Sequence, residues 1–453
     1  MEKRIAILGG GITGLSAAFY LEKAGEKNIS IVECSALGGK MLTMRDGDFL
    51  VEAGPDSFIT TKPYAINLIE ELGLSDELIQ PKTSKFHILN HGKMLSSPKG
   101  LNMMVPTDLE AFMQSELFTA DGKERVLQER NIPARESDED ESFASFISRR
   151  FGLEMLRKYA EPLFGGIYAT PSEELSMQAT FPQFLQMEKK FGSLTAAIEN
   201  QPKQTESNIQ NRSPFVGLKN GIHSLADALM KSLKNTNFVH KTIETLYKDS
   251  AKNAFTVGFS DGTTLEADII LMALPIVPAQ KFMQEISKDA AELLSQFTVS
   301  SSKIVTLAYK KSDIESDVNA TGFVAVRNGS QKMTASTWSS EKWPHRAPED
   351  VLLARCFYNG NDVVDEVSDI QRAHKELAEI IHVKAKNPLR TWSYHWKNAL
   401  PQYKVGHLQR VAALEEMVAQ IPNFEIAGAF ISGVGIPDCI RQGKEAAERL
   451  IAN

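Results

Sequence analysis

The chain opens on a short apolar run at residues 4–8 (RIAIL), which gives way to glycines and then to Ile12, Leu15, Ala18, Phe19 and Leu21. A brief apolar run suits a buried strand, whereas apolar positions recurring every three or four residues suit one face of a helix. Gly25 ends that helix and a second apolar run follows at 29–33 (ISIVE), so the first 33 residues predict a strand–helix–strand unit with parallel strands. Pro63 and Gly73 bracket a further helix with apolar positions at Ile66, Ile69 and Leu72. From Phe86 the pattern shifts to alternating runs around 90–93, which predict a hairpin.

Residues 107–200 carry helical periodicity, interrupted at 135–142 (RESDEDES) by five acids against one base, which reads as a solvated connector. The polar stretch 201–213 reads as a linker. The strand–helix pattern then returns at 215–280: a helix over 222–233, strands over 238–246 and 255–259, a turn at Asp261-Gly262, and a strand over 265–274 that is apolar on both faces. Four alternating runs between 300 and 357 predict a second, antiparallel sheet, followed by a helix near 370–381. A strand over 424–430, a glycine turn and a helix over 439–451 close the pattern.

The fold class expected is α/β with α+β character: a discontinuous Rossmann-like nucleotide-binding domain, an antiparallel-sheet substrate domain and a helical insertion. Its expected pieces are 1–80, 211–280 and 395–453 for the nucleotide-binding domain, 81–106 and 281–394 for the substrate domain, and 107–210 for the insertion.

Length and composition narrow the function classes. A chain of 453 residues is long enough for two or three domains, and 42% apolar with 24% charged residues is ordinary globular composition, unlike disordered, collagenous or disulfide-scaffold chains. The formal charge of −7 argues against nucleic acid as a partner, because polyphosphate affinity needs a basic footprint. The longest apolar stretch, 269–279, has eleven residues and two prolines, well short of the about 20 that span a bilayer, so no integral membrane segment is expected. Cys34, Cys356 and Cys439 are far apart and form no C-x-x-C pair, which points to a reducing, cytoplasmic setting without a cysteine metal site. His87 and His91 fall in the expected hairpin, so no metal is assigned to them.

The chemistry gathers at the start of the chain. Gly9, Gly10, Gly11, Ile12, Thr13 and Gly14 form G-x-G-x-x-G between strand and helix, with one glycine for a tight turn, one for close approach to a pyrophosphate and one for helix–strand packing. The helix N-terminus offers free N–H groups to phosphate. Glu33 lies 24 residues after Gly9 at the end of the second strand, where a carboxylate can accept ribose hydroxyls. A plain glycine turn with a surface acid nearby is the alternative. A second loop with a cation, Gly38-Gly39-Lys40, follows, and Gly54-Pro55-Asp56-Ser57 comes soon after.

With those two loops in this order, the chain resembles the flavin-dependent amine oxidase superfamily. The resemblance implies FAD, with Gly39 and Lys40 beside its ribityl part and Gly54, Pro55, Asp56 and Ser57 on the flavin side. The segment 217–229 (GLKNGIHSLADAL) is similar to the superfamily's middle motif, with Asn220 where a glycine is usual, and implies that Ile243 lays its backbone against the adenine. The stretch Ala429 to Val434, Gly435 and Ile436 implies the last flavin contact, a helix N-terminus at the pyrimidine end of the ring.

The closing GVGIPDCIRQGK, together with residues 161–168 (EPLFGGIY), 180–184 (TFPQF) and 333–344 (MTASTWSSEKWP), is similar to the porphyrinogen oxidases of heme synthesis, and closest to their soluble bacterial coproporphyrinogen branch. That resemblance implies a porphyrinogen substrate, dioxygen as acceptor, Trp396 against the flavin, and a transient contact with a ferrochelatase. It also implies cations for the substrate's carboxylates, of which Lys62 is the candidate; a lysine beside the helix that begins at Pro63 is the bland reading. Protoporphyrinogen IX oxidation is one alternative, and a non-catalytic prenyl-protein carrier on the same fold is another.

Overall fold

The computed structural model describes residues 3–102, 104–200, 213–249, 254–329, 331–361 and 365–452. The chain divides into two compact units, and the first gathers Met1–Gln80, Pro214–Val299 and Leu408–Asn453. Its centre is a parallel sheet of β1 (Ile5–Leu8), β2 (Ile29–Val32), β3 (Thr236–Val239), β4 (Ile269–Met272) and β5 (Phe424–Ile426), in spatial order β3-β2-β1-β4-β5. All four residues of β1 are buried, and so are all four of β4, as expected for parallel strands covered on both faces. The first helix, Ile12–Lys23, turns Leu15, Ala18 and Leu21 into the core and packs on the C-terminal helix, Ile436–Ala452. A Cβ at Gly443 would stand 2.4 Å from the Thr13 carbonyl oxygen, so a glycine there allows the two helices to cross closely.

Two expected strands are divided in the structure. The apolar run 265–274 breaks at Asp268: Thr264–Ala267 joins Ile243–Asp249 and Ala254–Phe259 in an antiparallel meander, and only Ile269–Met272 enters the parallel sheet. The cause is Arg4. Its carbonyl accepts the amides of Asp268 and Ile269 at 2.8 and 3.0 Å, and the Asp268 carboxylate accepts the Arg4 amide at 2.8 Å and its Nη2 at 2.7 Å. Likewise, the run 238–246 divides between β3 and the first meander strand. The expected strand 424–430 is shorter, because the chain turns at Gly428 with φ +149°.

The second unit comprises Pro81–Ser213 and Ser300–His407. Its seven-stranded sheet runs Arg390–Pro401, Val299–Lys310, Val351–Asn359, Ala335–Trp338, Gly322–Ala325, His87–Asn90 and Lys93–Ser96. The expected hairpin is present at its end. Gly322–Ala325 and His87–Asn90 pair in parallel, so the sheet is mixed rather than antiparallel.

The unit edges differ from those expected. Residues 281–299 fold with the first unit, where Ala290, Ala291 and Leu294 enter its core. Residues 395–407 fold with the second, because Arg390–Pro401 is a strand of its sheet. The helices of 107–200 cluster with that sheet instead of forming a third unit. The stretch read as a linker at 201–213 lies, apart from Ser213, outside the described residues. Among the described residues no helix is long and apolar enough to cross a membrane.

Candidate cofactor site

The sequence motifs of the first unit converge on one edge of its parallel sheet, beyond the carboxyl ends of the strands, where open α/β sheets bind ligands. Gly9 follows β1 and donates its amide to Val32 O at 2.9 Å, and Glu33 follows β2 and donates to Val239 O at 3.1 Å. Ala273 follows β4 and donates to Leu8 O at 2.8 Å, while Ala427 follows β5 and donates to Met272 O at 3.0 Å. Each strand end therefore fixes its neighbour's.

The three glycines of the first loop face different surroundings. A Cβ on Gly9, whose φ is +110°, would stand 2.5 Å from Ala273 O, and one on Gly14 would stand 2.0 Å from Gly9 O, so both positions need glycine for the fold itself. A Cβ on Gly11 would meet nothing within 4 Å. Gly11 is also the N-cap of the first helix and provides no side-chain cap, which leaves the N–H groups of the first turn facing the open side of the loop. Glu33 is held in place: Oε2 accepts the Gly10 amide at 2.9 Å, and Oε1 accepts the Ser35 amide and hydroxyl at 2.8 and 2.7 Å. A carboxylate oxygen has two lone pairs, so capacity for ribose hydroxyls remains. An open glycine, an uncapped helix start and a fixed carboxylate together fit a dinucleotide.

The second loop leans on the first. Gly38 donates to Gly10 O at 2.8 Å, and a Cβ on Gly39 would stand 3.2 Å from Gly11 Cα. Gly38 adopts φ +93° beneath the His223 ring, which a Cβ there would approach to 2.9 Å. His223 Nδ1 donates to Met41 O at 2.6 Å, and its amide donates to Thr43 Oγ1 at 3.0 Å. Buried Glu52 completes this support by accepting Thr43 Oγ1 at 2.6 Å and the Ile222 amide at 2.9 Å. A Cβ on Gly54 would stand 1.8 Å from Lys40 O, so the backbone at Gly54 runs directly against the loop, and Pro55, Asp56 and Ser57 follow it in sequence. Lys40 reaches some solvent yet is ringed by protein atoms, and that burial pushes its ammonium below its ordinary range. Burial also pushes the thiol of Cys439, near Thr13 and Lys40, upward.

At the C-terminal end, Gly433 adopts φ +86°, and a Cβ on it would stand 2.3 Å from Asp438 Cγ. Val434, Gly435 and Ile436 then lead into the C-terminal helix, with Asp438 in its first turn. Ala429 packs against the core behind them. The Asp438 carboxylate accepts Lys62 Nζ at 2.7 and 2.8 Å, so Lys62 is an ion-pair partner inside this unit rather than the uncommitted cation the sequence suggested.

A match to the family described as flavin containing amine oxidoreductase runs over residues 12–451. The chain belongs to that family. This amine oxidoreductase is 34% identical to the coproporphyrinogen III oxidase of Bacillus subtilis, over 98% of the chain and 97% of the relative. It is 24% identical to protoporphyrinogen oxidase 2 of Arabidopsis thaliana, over 99% and 94%. A solved structure from Exiguobacterium sp. 255-15, named as a candidate protoporphyrinogen oxidase, matches it with TM-score 0.87 at 32% identity, over 99% of each chain. The amine oxidoreductase is an FAD-dependent oxidase.

Two residues assigned by resemblance lie away from the glycine loops in sequence. Ile243 starts the meander opposite Phe259, just beyond the end of β3. Trp396 stands on a strand of the second unit, its ring centroid 4.5 Å from that of Tyr394. Asn220, where the family pattern has glycine, is occupied in the structure: it accepts Arg45 Nη2 at 2.9 Å and donates to Glu77 at 2.7 Å. Sequence reasoning missed Asp438, although an acid in the first turn of a helix was visible next to the motif. It also missed Glu52 and His223, whose roles come from contacts between distant segments. Among the described residues no group of His, Cys, Asp and Glu could hold a metal ion.

Proposed function

We propose that this flavoprotein oxidises coproporphyrinogen III to coproporphyrin III, losing six electrons in three two-electron steps, with three dioxygen molecules reduced to three hydrogen peroxides. The observation that carries the reading is the end-to-end relationship to a coproporphyrinogen III oxidase at 34% identity, against 24% to the plant protoporphyrinogen oxidase. FAD, when bound, supplies the redox chemistry by accepting hydride. The protein's part is binding and orientation. The first helix and Glu33 would hold the pyrophosphate and ribose, Ile243 would meet the adenine, and the loops at Gly39 and Gly54 with Val434–Ile436 would hold the flavin end.

Lys62 would take one substrate propionate while keeping Asp438 as its second partner. In the same reading, the enzyme works in the cytoplasm and hands its product to a ferrochelatase by transient contact. The test presents coproporphyrinogen III and protoporphyrinogen IX anaerobically in parallel and follows porphyrin fluorescence after air is admitted. Faster appearance of coproporphyrin is expected, and preference for protoporphyrinogen overturns the choice of substrate. Lys62→Ala should raise KM for coproporphyrinogen several-fold while flavin content stays intact; unchanged kinetics remove Lys62 from the site.

A further inference from the structure

The C-terminal helix brings a carboxylate to the loop assigned to the flavin end. Asp438 stands in the first turn of that helix, and its side chain is only 11% exposed. A Cβ on Gly433 would stand 2.3 Å from Asp438 Cγ and 2.5 Å from Oδ2, and one on Gly435 would stand 3.4 Å from Oδ2. The carboxylate therefore lies against the backbone of 433–435. Its charge opposes the positive end of the helix at the place where that end would face a reduced flavin.

Lys62 cancels that charge. Its Nζ donates to both Asp438 oxygens, at 2.7 and 2.8 Å. The segment that carries Lys62 is fixed within the same unit: the Thr60 amide donates to Pro214 O at 2.8 Å, and the helix Tyr64–Glu71 packs on the C-terminal helix. The next cation along the C-terminal helix, Arg441, is committed to Glu445 and Ser432. With Lys62 about half exposed, the pair adds little to stability, yet it decides the net charge beside 433–435.

We propose that Lys62 and Asp438 form a charge-balanced pair that sets the reduction potential of the bound flavin, Lys62 keeping Asp438 from opposing reduction. This assignment rests on the placement of the flavin end at 434–436 given above. Two electrons arriving with one proton leave the ring with one more negative charge, so a bare carboxylate beside it disfavours reduction and a bare ammonium favours it. Removing either partner therefore moves the potential in opposite directions. A pair that only tied two segments together would lose stability in both variants and shift no potential with opposite signs.

The experiment takes flavin-loaded wild type, Lys62→Met, Asp438→Asn and the double variant, and reads the flavin potential anaerobically against a dye of known potential. Lys62→Met should shift the equilibrium about tenfold toward oxidised flavin, about 30 mV lower for a two-electron couple, and Asp438→Asn should shift it similarly the other way. The double variant should return to within about threefold of wild type. Shifts of one sign, or none in the single variants, overturn the proposal. Should Lys62→Met fail to hold FAD, Asp438→Asn decides alone, and a potential equal to or below that of wild type overturns it. Gly435→Val separates this failure from a misplaced flavin. If that variant keeps the wild-type FAD Kd and potential, the flavin does not lie at this loop, and the underlying placement falls together with the pair's role.

Discussion

At the scale of single residues, Gly11 and Gly14 differ in what an added side chain would meet. Gly11→Val places its Cβ in open space at a φ of −71°, which any residue adopts, so the apoprotein should melt as wild type does while the flavin absorbance of the purified protein is lost. Gly14→Val drives Cβ to within 2.0 Å of Gly9 O and should lower stability by about 1–3 kcal/mol or more, read as a drop in Tm with or without FAD. Glu33→Gln keeps an acceptor for the Gly10 amide but loses charge-assisted bonds to ribose. Its FAD Kd should rise about tenfold in a titration of the apoprotein, with secondary structure unchanged. These residues were legible because their partners are near in sequence. Lys62 was not fully legible, because its partner Asp438 is 376 positions away and no periodicity connects them.

At the scale of elements, Arg4 and Asp268 join the start of β1 to the start of β4. The Arg4 hydrogen bond holds the Asp268 carboxyl below the usual carboxylate range, ahead of the opposing effect of its partial burial. A depressed folded-state pKa adds stability that is present above the unfolded value, about pH 4, and is lost as pH falls through the folded value. Wild type should therefore outmelt Asp268→Asn at pH 7 by under about 1 kcal/mol, since both side chains are about a third or more exposed, and the two curves should meet in strong acid.

The helices of the second unit carry a costlier pair. Glu129 and Arg150 are both fully buried and ion-paired, and Glu129 also accepts the amides of Leu194 and Thr195, each at 3.0 Å, at the start of the helix Leu194–Glu199. Glu129→Ala leaves a buried guanidinium without its main carboxylate and should lower the urea midpoint by the equivalent of about 3–5 kcal/mol. Helix positions in this region followed from periodicity, but burial of its charges did not, because a charged residue at a polar position reads as solvated. The same reason hid the break at Asp268: its run is apolar on both sides, and only the distant Arg4 ends it.

At the scale of the whole molecule, the order of motifs along the chain gave away a nucleotide-binding unit made of separated pieces, since each piece has its own strand and glycine turn. The edges were less legible because a strand such as Arg390–Pro401 alternates in the same way whichever sheet it joins. A ligand that binds only the folded unit should raise stability by about 4 kcal/mol when present at about a thousandfold its Kd, so removal of FAD should lower Tm by several degrees and its return should restore it. The discontinuity also sets an order of events during synthesis. The second unit is complete once His407 has emerged from the ribosome, whereas the first still lacks β5 and the C-terminal helix. Translation would thus leave β4 as an open sheet edge until residues 424–452 arrive, and flavin capture would wait for them rather than accompany the growth of the earlier pieces.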